Sequence, residues 1–313
     1  MIDNKLNKKL ITISGPTASG KSKLSIDLAL KLNCSIISCD SRQFYKEMSI
    51  GTAVPSQNDL SRVNHYCIQH KSIFDNYTVN DFRIEALKII KHEFKTNNFI
   101  IMVGGSGMYM DAVVNGMDNF PEISSEVRNL INSKYKLFGI KYLQDQLYEL
   151  DPEYMSKVDI NNQRRLIRAL EVSLSSNKPY SSFLGNKKVA HDFKIINTAI
   201  KSDRNYLYDR INKRVDEMIN NDLLNEVQNL FKYKDLRSLN SVGYKELFLF
   251  LEKKISFDNA INEIKKNSRR FAKRQMTWNR KNTQAIAVNY NKALEDSMTF
   301  LDKAIPTSKD VDS

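Results

Sequence analysis

Four short apolar runs punctuate the chain: LITIS at 10–14, SIISC at 35–39, FIIMV at 99–103 and KIINTAI at 194–200. Each has the length of a buried strand, and helical periodicity fills the intervals between the first three. The clearest case is KLSIDLALKL at 23–32, where Leu24, Leu28 and Leu32 recur on one helical face. Strands separated by helices predict an α/β fold with a parallel sheet covered on both faces.

Between 118 and 186 the pattern changes to helical and polar, with Tyr142, Leu143, Leu147 and Leu150 spaced for one helix and Leu166, Ile167, Leu170 and Val172 for another. This interval reads as an inserted helical subdomain, leaving 1–117 and 187–300 as the core. From 203 to about 281 the pattern is again helical, and 301–313, with Pro306, reads as a loose tail. No internal repeat or low-complexity tract is present.

Composition narrows the class. A chain of 313 residues, 41% hydrophobic and 27% charged, has room for one large domain with an appendage. No apolar stretch approaches the length of a membrane span, and MIDNKLNKK at the start lacks the apolar core of a signal peptide, so a cytoplasmic chain without membrane contact is expected. Cys34, Cys39 and Cys67 show no C-x-x-C spacing and the four histidines no H-x-x-x-H pair, which argues against a structural zinc site. The net charge of +12 favours a polyanionic partner, although a chain from a Lys-rich, Asn-rich proteome would share it.

Directly after the first apolar run stands GPTASGKS at 15–22, a full match to the phosphate-loop pattern G-x-x-x-x-G-K-[ST]. Gly15 and Gly20 let the backbone turn so that successive N–H groups of the loop, which runs through Pro16, Thr17, Ala18 and Ser19 to Lys21 and Ser22, face a phosphate, and the helix that follows brings its positive end to the same point. Lys21 supplies a mobile positive charge. The Ser22 hydroxyl can hold a Mg²⁺ ion that bridges phosphate oxygens. Such loops most often bind ATP.

Asp40 follows the second run, placing a carboxylate at the C-terminal end of a parallel strand beside the loop. Alone it would read as a turn cap; beside a phosphate loop it reads as a general base. VGGSGMY at 103–109 ends the third run, with glycines that allow close approach and Ser106 able to bond into the site. Arg210 and Arg214, four apart after the fourth run, can clamp phosphate oxygens or lie solvated on a helix.

The sharpest charge pattern is INEIKKNSRRFAKRQMTWNRK at 261–281, with eight Lys and Arg against one Glu. On a helix, Lys266, Arg269, Arg270, Lys273, Arg274, Arg280 and Lys281 fall within an arc of roughly 140°, with Ile261, Ile264, Phe271 and Trp278 opposite. A solvated face usually mixes signs, so this stripe reads as a phosphate-backbone contact. A second cluster, Arg164, Arg165 and Arg168 around Leu166 and Ile167, lies in the insertion.

Taken together, GPTASGKS, DSRQFYKEMSIGTA at 40–53, VGGSGMY, QRRLIRALEV at 163–172, SVGYKEL at 241–247 and KRQMTWNR at 273–280 resemble the tRNA dimethylallyltransferase family of bacterial type, over nearly the whole chain. The resemblance implies a P-loop-kinase-like sheet with a helical insertion. It also implies that the loop, with Arg210 and Arg214, holds dimethylallyl diphosphate rather than ATP, that Mg²⁺ assists, and that the catalytic set is Asp40, Ser106 and Lys21. Asp40 would take a proton from the exocyclic amine of an adenosine beside the anticodon. The tRNA anticodon stem-loop would be bound by Asp40, Ser41, Arg42, Gln43, Ser106, Arg128, Arg164, Arg165, Leu166, Ile167, Arg168, Val242, Gly243, Tyr244, Lys273, Arg274, Gln275, Trp278 and Arg280, by a monomer. The family often has Thr at Ser106, Lys at Val54 and His-His-Leu where this chain has His65, Tyr66 and Cys67. The competing class is a small-molecule or nucleoside kinase with the same loop on ATP, and a third is an RNA-binding module with a vestigial loop.

Overall fold

The computed structural model describes residues 7–186, 189–281 and 285–304. The chain divides into two compact units, one formed by Met1–Val114 with His191–Ser313 and the other by Asn115–Ala190.

The first unit is built on six strands: β1 (Lys9–Ser14), β2 (Ile36–Ser38), β3 (His65–Tyr66), β4 (Phe99–Gly104), β5 (Lys194–Lys201) and β6 (Ile286–Asn289). They lie in the order β3-β2-β4-β1-β5-β6, and every pairing is parallel. Alternate residues of β1 face opposite layers: Ile11 and Ile13 pack with Leu24 and Leu28 of the helix Lys21–Leu32, while Leu10 packs with Phe82, Ala86 and Ile90 of the helix Val79–Glu93. Burying both faces is what makes the central strands apolar throughout. In register, Ser14 of β1 stands beside Gly104 of β4 and Ala199 of β5, so β1 and β4 end together and open a crevice while β5 runs on to Lys201.

A further helical layer, Arg204–Asn220, Leu223–Leu230, Tyr244–Leu251 and Phe257–Lys281, encloses its own core of Val215, Leu223, Val227, Leu247 and Ile264. The chain then returns to the sheet as β6 and the helix Ala293–Ala304. That helix takes in the first residues of the expected tail, because Ala293 and partly buried Leu294 and Met298 extend the β1 core; 305–313 lie outside the described residues. No described helix is long and apolar enough to cross a membrane.

The second unit packs the helix Ser125–Leu150, bent where Gly139 takes φ 70° and ψ −164°, with Gln163–Ser176 around Ile131, Leu143, Leu147, Leu166 and Leu170. Buried Asp151 ties the turn between them: it accepts hydrogen bonds from the Tyr154 amide at 2.9 Å and from the Ser181 amide and hydroxyl at 2.6 and 2.9 Å.

Candidate active site

The chain leaves β1 at buried Ser14 and turns through Gly15–Gly20 into the helix that begins at Lys21. Gly20 occupies the N-cap at φ 87°, a left-handed conformation that costs glycine little. The helix therefore aims its unpaired amides, with their partial positive charge, into the crevice. The Lys21 ammonium donates to the Pro16 carbonyl at 2.6 Å, folding back over the loop. Ser19 Oγ is buried with no hydrogen-bond partner.

Opposite the loop, Asp40 stands just past β2. Its Oδ1 accepts from the Arg42 amide at 3.0 Å, and its own amide donates to Ser38 Oγ at 3.3 Å, which fixes the carboxylate's base. Thr17, Lys21, Ser22, Asp40 and Arg214 line one cleft, together with Gly104 and Gly105 from the end of β4. A side chain at Gly104 would bring Cβ within 2.4 Å of Cys39 Sγ and 2.7 Å of the Cys39 backbone, so only glycine lets β2 and β4 converge here. Ser106 Oγ accepts from the Ser41 amide at 3.1 Å and lies 3.2 Å from Ser41 Oγ, linking the two strand ends behind Asp40.

Two of the three arginines of the helix Arg204–Asn220 reach the phosphate loop. Arg210 Nε donates to the Ala18 carbonyl at 2.7 Å and Arg214 Nη1 to Thr17 Oγ1 at 3.3 Å. Arg204 instead bonds the Tyr208 hydroxyl at 3.0 Å. The Lys21 pKa is pushed down to about 8, first by burial and then by Arg214, against an opposing pull from Asp40 and Cys39.

Several expected tRNA contacts are structural instead. Leu166 is 0% exposed and Ile167 packs against the same core, so of the RRLIR cluster only the arginines reach the surface. Arg164 and Arg165 are exposed, whereas Arg128 and Arg168 share Glu171, at 3.3 and 3.7 Å. Tyr244 is 0% exposed, with its ring against Gly51; Gly243, at φ 97°, is buried and Val242 packs in the same cluster. Gln43 spends its carboxamide on Ser38 Oγ, at 3.0 Å, and on the carbonyls of Thr52 and Ala53, at 3.2 and 3.0 Å. Arg42 Nη1 is tied to the Ser238 carbonyl at 2.7 Å. Leu166, Gly243 and Tyr244 are buried, while Arg42 and Gln43 are half-buried and Gln43 lines the Asp40 cleft.

The helix Phe257–Lys281 also departs from the expected facing. Its buried residues are Ala260, Ile264, Ala272 and Gln275, while Phe271 is 39% exposed and lines the Asp40 cleft. Arg274 lies 5.6 Å from the centre of the Phe271 ring. Trp278 is half-buried against Gly107, where a Cβ would come within 2.3 Å of its ring. Arg269 is half-buried and bonds Asn212 at 2.7 Å, Lys266 is exposed but paired with Glu263 at 2.7 Å, and Arg270, Lys273, Arg274, Arg280 and Lys281 make up the rest of the exposed stripe. Gln275, 8% exposed, accepts from the Thr17 amide at 2.8 Å and donates to the Gly105 carbonyl at 2.9 Å, so it is a brace rather than a tRNA contact.

Glu226 escaped the sequence reading. It accepts from the amides of Ser49, Ile50 and Gly51 at 2.9, 2.7 and 3.0 Å and from the Tyr244 hydroxyl at 2.6 Å, closing the SIGTA turn that borders the cleft. No local signal marks it: a glutamate in a helical stretch looks solvated until the fold brings distant amides to it.

A family model described as IPP transferase matches residues 43–282. A tRNA dimethylallyltransferase from Flavobacterium psychrophilum is 52% identical over 90% of this chain and 94% of its own length, and one from Flavobacterium johnsoniae 50% over 91% and 94%. Among solved structures, the tRNA isopentenylpyrophosphate transferase of Bacillus halodurans superposes with a TM-score of 0.71 at 31% identity, covering 95% of this chain and 96% of that one.

Proposed function

The chain belongs to the IPP transferase family, and on that premise we propose that it transfers a dimethylallyl group from dimethylallyl diphosphate to the exocyclic amine of an adenosine beside the anticodon of tRNA, releasing diphosphate. The observation that carries this reading is the single cleft that puts a phosphate loop, with Lys21 and Arg214, against the lone carboxylate of Asp40.

The chemistry follows from that pairing. The bond between the allylic carbon and the diphosphate oxygen breaks, and the negative charge that grows on the leaving group falls among the loop amides, Lys21, Arg210 and Arg214. The adenine amine attacks the same carbon and passes its proton to Asp40. An amine conjugated with a purine ring is a weak nucleophile, so placement carries much of the rate: the base must leave its stack and sit over the diphosphate, at modest cost in a single-stranded loop. Phe271, exposed at the cleft, is an aromatic face on which such a base can stack.

Ser22 and Asp40 offer a hydroxyl and a carboxylate in the same cleft, a hard oxygen set that fits Mg²⁺, with Ser22 as its holder. When bound, the ion would neutralise diphosphate charge. The exposed basic side chains of 270–281 would track the tRNA backbone, and the protein would act as a monomer in the cytoplasm. Treating unmodified tRNA with the protein, Mg²⁺ and dimethylallyl diphosphate, then cutting it with a base-specific ribonuclease and weighing the oligonucleotides by mass spectrometry, should place the dimethylallyl mass on anticodon-loop fragments alone. Modification spread over adenosines elsewhere would refute the placement.

A further inference from the structure

Behind the segment that carries Asp40 lies a second convergence of reactive side chains. Residues 65–71 back that segment by main-chain bonds: the Gln69 amide donates to the Gln43 carbonyl at 2.8 Å, Lys71 to Phe44 at 2.9 Å, and Lys46 to Lys71 at 2.8 Å. Within this stretch Cys67 and Gln69 hold φ of 60° and 47°, a left-handed conformation that side chains other than glycine keep only when their surroundings hold them there. One ligand atom each from Cys67, His70 and Glu85 then lie within 4.8 Å of one another.

Two details distinguish this cluster from a chance meeting. Both ring nitrogens of His70 are buried without a hydrogen-bond partner, and Nε2 lies 3.3 Å from Glu85 Oε1. A buried imidazole in that state calls for an absent partner. Glu85, for its part, is held from outside: Oε2 accepts from the Tyr77 hydroxyl at 2.7 Å and sits 3.3 Å from Lys71 Nζ, which leaves Oε1 toward His70. Orientation of a ligand carboxylate by outer contacts of this kind is usual at metal centres.

We propose that Cys67, His70 and Glu85 form a site for a thiolate-preferring divalent cation of the zinc class, which ties residues 65–71 to the helix Val79–Glu93 behind the Asp40 segment. Sulfur, imidazole and carboxylate together are a zinc-type donor set and not one for Mg²⁺. A bound water completes the tetrahedron. The Cys67 thiol gives its proton to solvent as the S–metal bond forms, and nothing is oxidised. The Lys71 ammonium opposes the ion and limits its affinity. None of the three ligands lines the Asp40 cleft, so the role is structural.

Titrating the full-length, metal-free protein with Co²⁺ tests this without reference to catalysis. We expect one ion per chain, a thiolate-to-cobalt charge-transfer band in the near ultraviolet that Zn²⁺ abolishes, and about one proton released per ion. Cys67→Ser should remove the band and Glu85→Gln weaken binding by more than about tenfold, whereas Cys34→Ser and Asp40→Ala should keep both. Circular dichroism checks that each variant is folded, and His70→Asn replaces any that is not. No band in the wild type, or a band that survives Cys67→Ser, overturns the site.

Discussion

Gln275 accepts a hydrogen bond from the Thr17 backbone amide at 2.8 Å, across 258 residues of sequence. Because its Nε2 also donates to the Gly105 carbonyl at 2.9 Å, one carboxamide joins the phosphate loop to the end of β4. The distance between the loop that would hold the leaving group and the segment that carries Ser106 is set by this side chain.

Gln275→Ala should therefore behave as a positioning mutant. It removes no group from the reacting atoms, yet a shift of the loop by about 1 Å costs on the order of 10²-fold in rate. The buried amide and carbonyl left unpaired should also lower stability by about 1–3 kcal/mol. Single-turnover rates with saturating tRNA and a denaturant titration read the two effects. A slowed enzyme of unchanged tRNA affinity is expected, and wild-type rates would show that the brace is dispensable.

Asp40→Asn isolates the base. The amide oxygen can still accept from the Arg42 amide, so the turn should survive while the proton acceptor is lost. The chemical step should slow by about 10²- to 10⁴-fold, with little change in tRNA affinity. A single-turnover rate within about threefold of the wild type would exclude Asp40 as the base.

Lys21 makes diphosphate binding depend on pH. With its pKa near 8 in the folded protein and an ordinary value of 10.5, the amine is neutral in an alkaline ligand-free site. Affinity should fall as pH rises through about 8, and binding above that point should take up a proton, seen by calorimetry in buffers of different ionisation enthalpy. The unfolded chain binds more protons between about 8 and 10.5, so Lys21 lets fold stability rise with pH across that window, and its burial penalty is fully present below 8. Proton uptake that persists in Lys21→Met would assign it to another group.

The exposed stripe predicts salt dependence. Replacing Arg270, Lys273 and Arg274 by Gln should weaken all tRNAs alike and flatten the slope of log K against log salt by roughly two to three units if each contacts a phosphate. Binding of dimethylallyl diphosphate alone should not change. An unaltered slope would reduce the stripe to a solvated helix face.

The parts of this molecule that were legible in sequence are those whose signal is local. The phosphate loop is contiguous, and β1, β2 and β4 lie in apolar runs because both sheet faces are covered. β3, only two residues long, and β6, which pairs at the sheet edge, carry too little pattern to be read. The role of a side chain was harder than its neighbourhood. Gln275 and Tyr244 sit in segments singled out for tRNA, yet both face inward, because helical periodicity cannot tell which neighbour a polar or aromatic group will meet. Phe271 errs the other way: period placed it on the docked face, and the cleft left it exposed. Glu226 was invisible because its partners are amides some 175 residues away.

The central claim is that this phosphate loop holds a prenyl diphosphate for transfer to tRNA. The direct test is to incubate the protein with Mg²⁺, unmodified tRNA and dimethylallyl diphosphate labelled in the allyl group, beside a parallel reaction with ATP labelled in the terminal phosphate and a nucleoside mixture. Label should enter tRNA from the prenyl donor, require Lys21 and Asp40, and not enter any nucleoside from ATP. Phosphorylated nucleoside with unlabelled tRNA would make the cleft a kinase site and contradict the account.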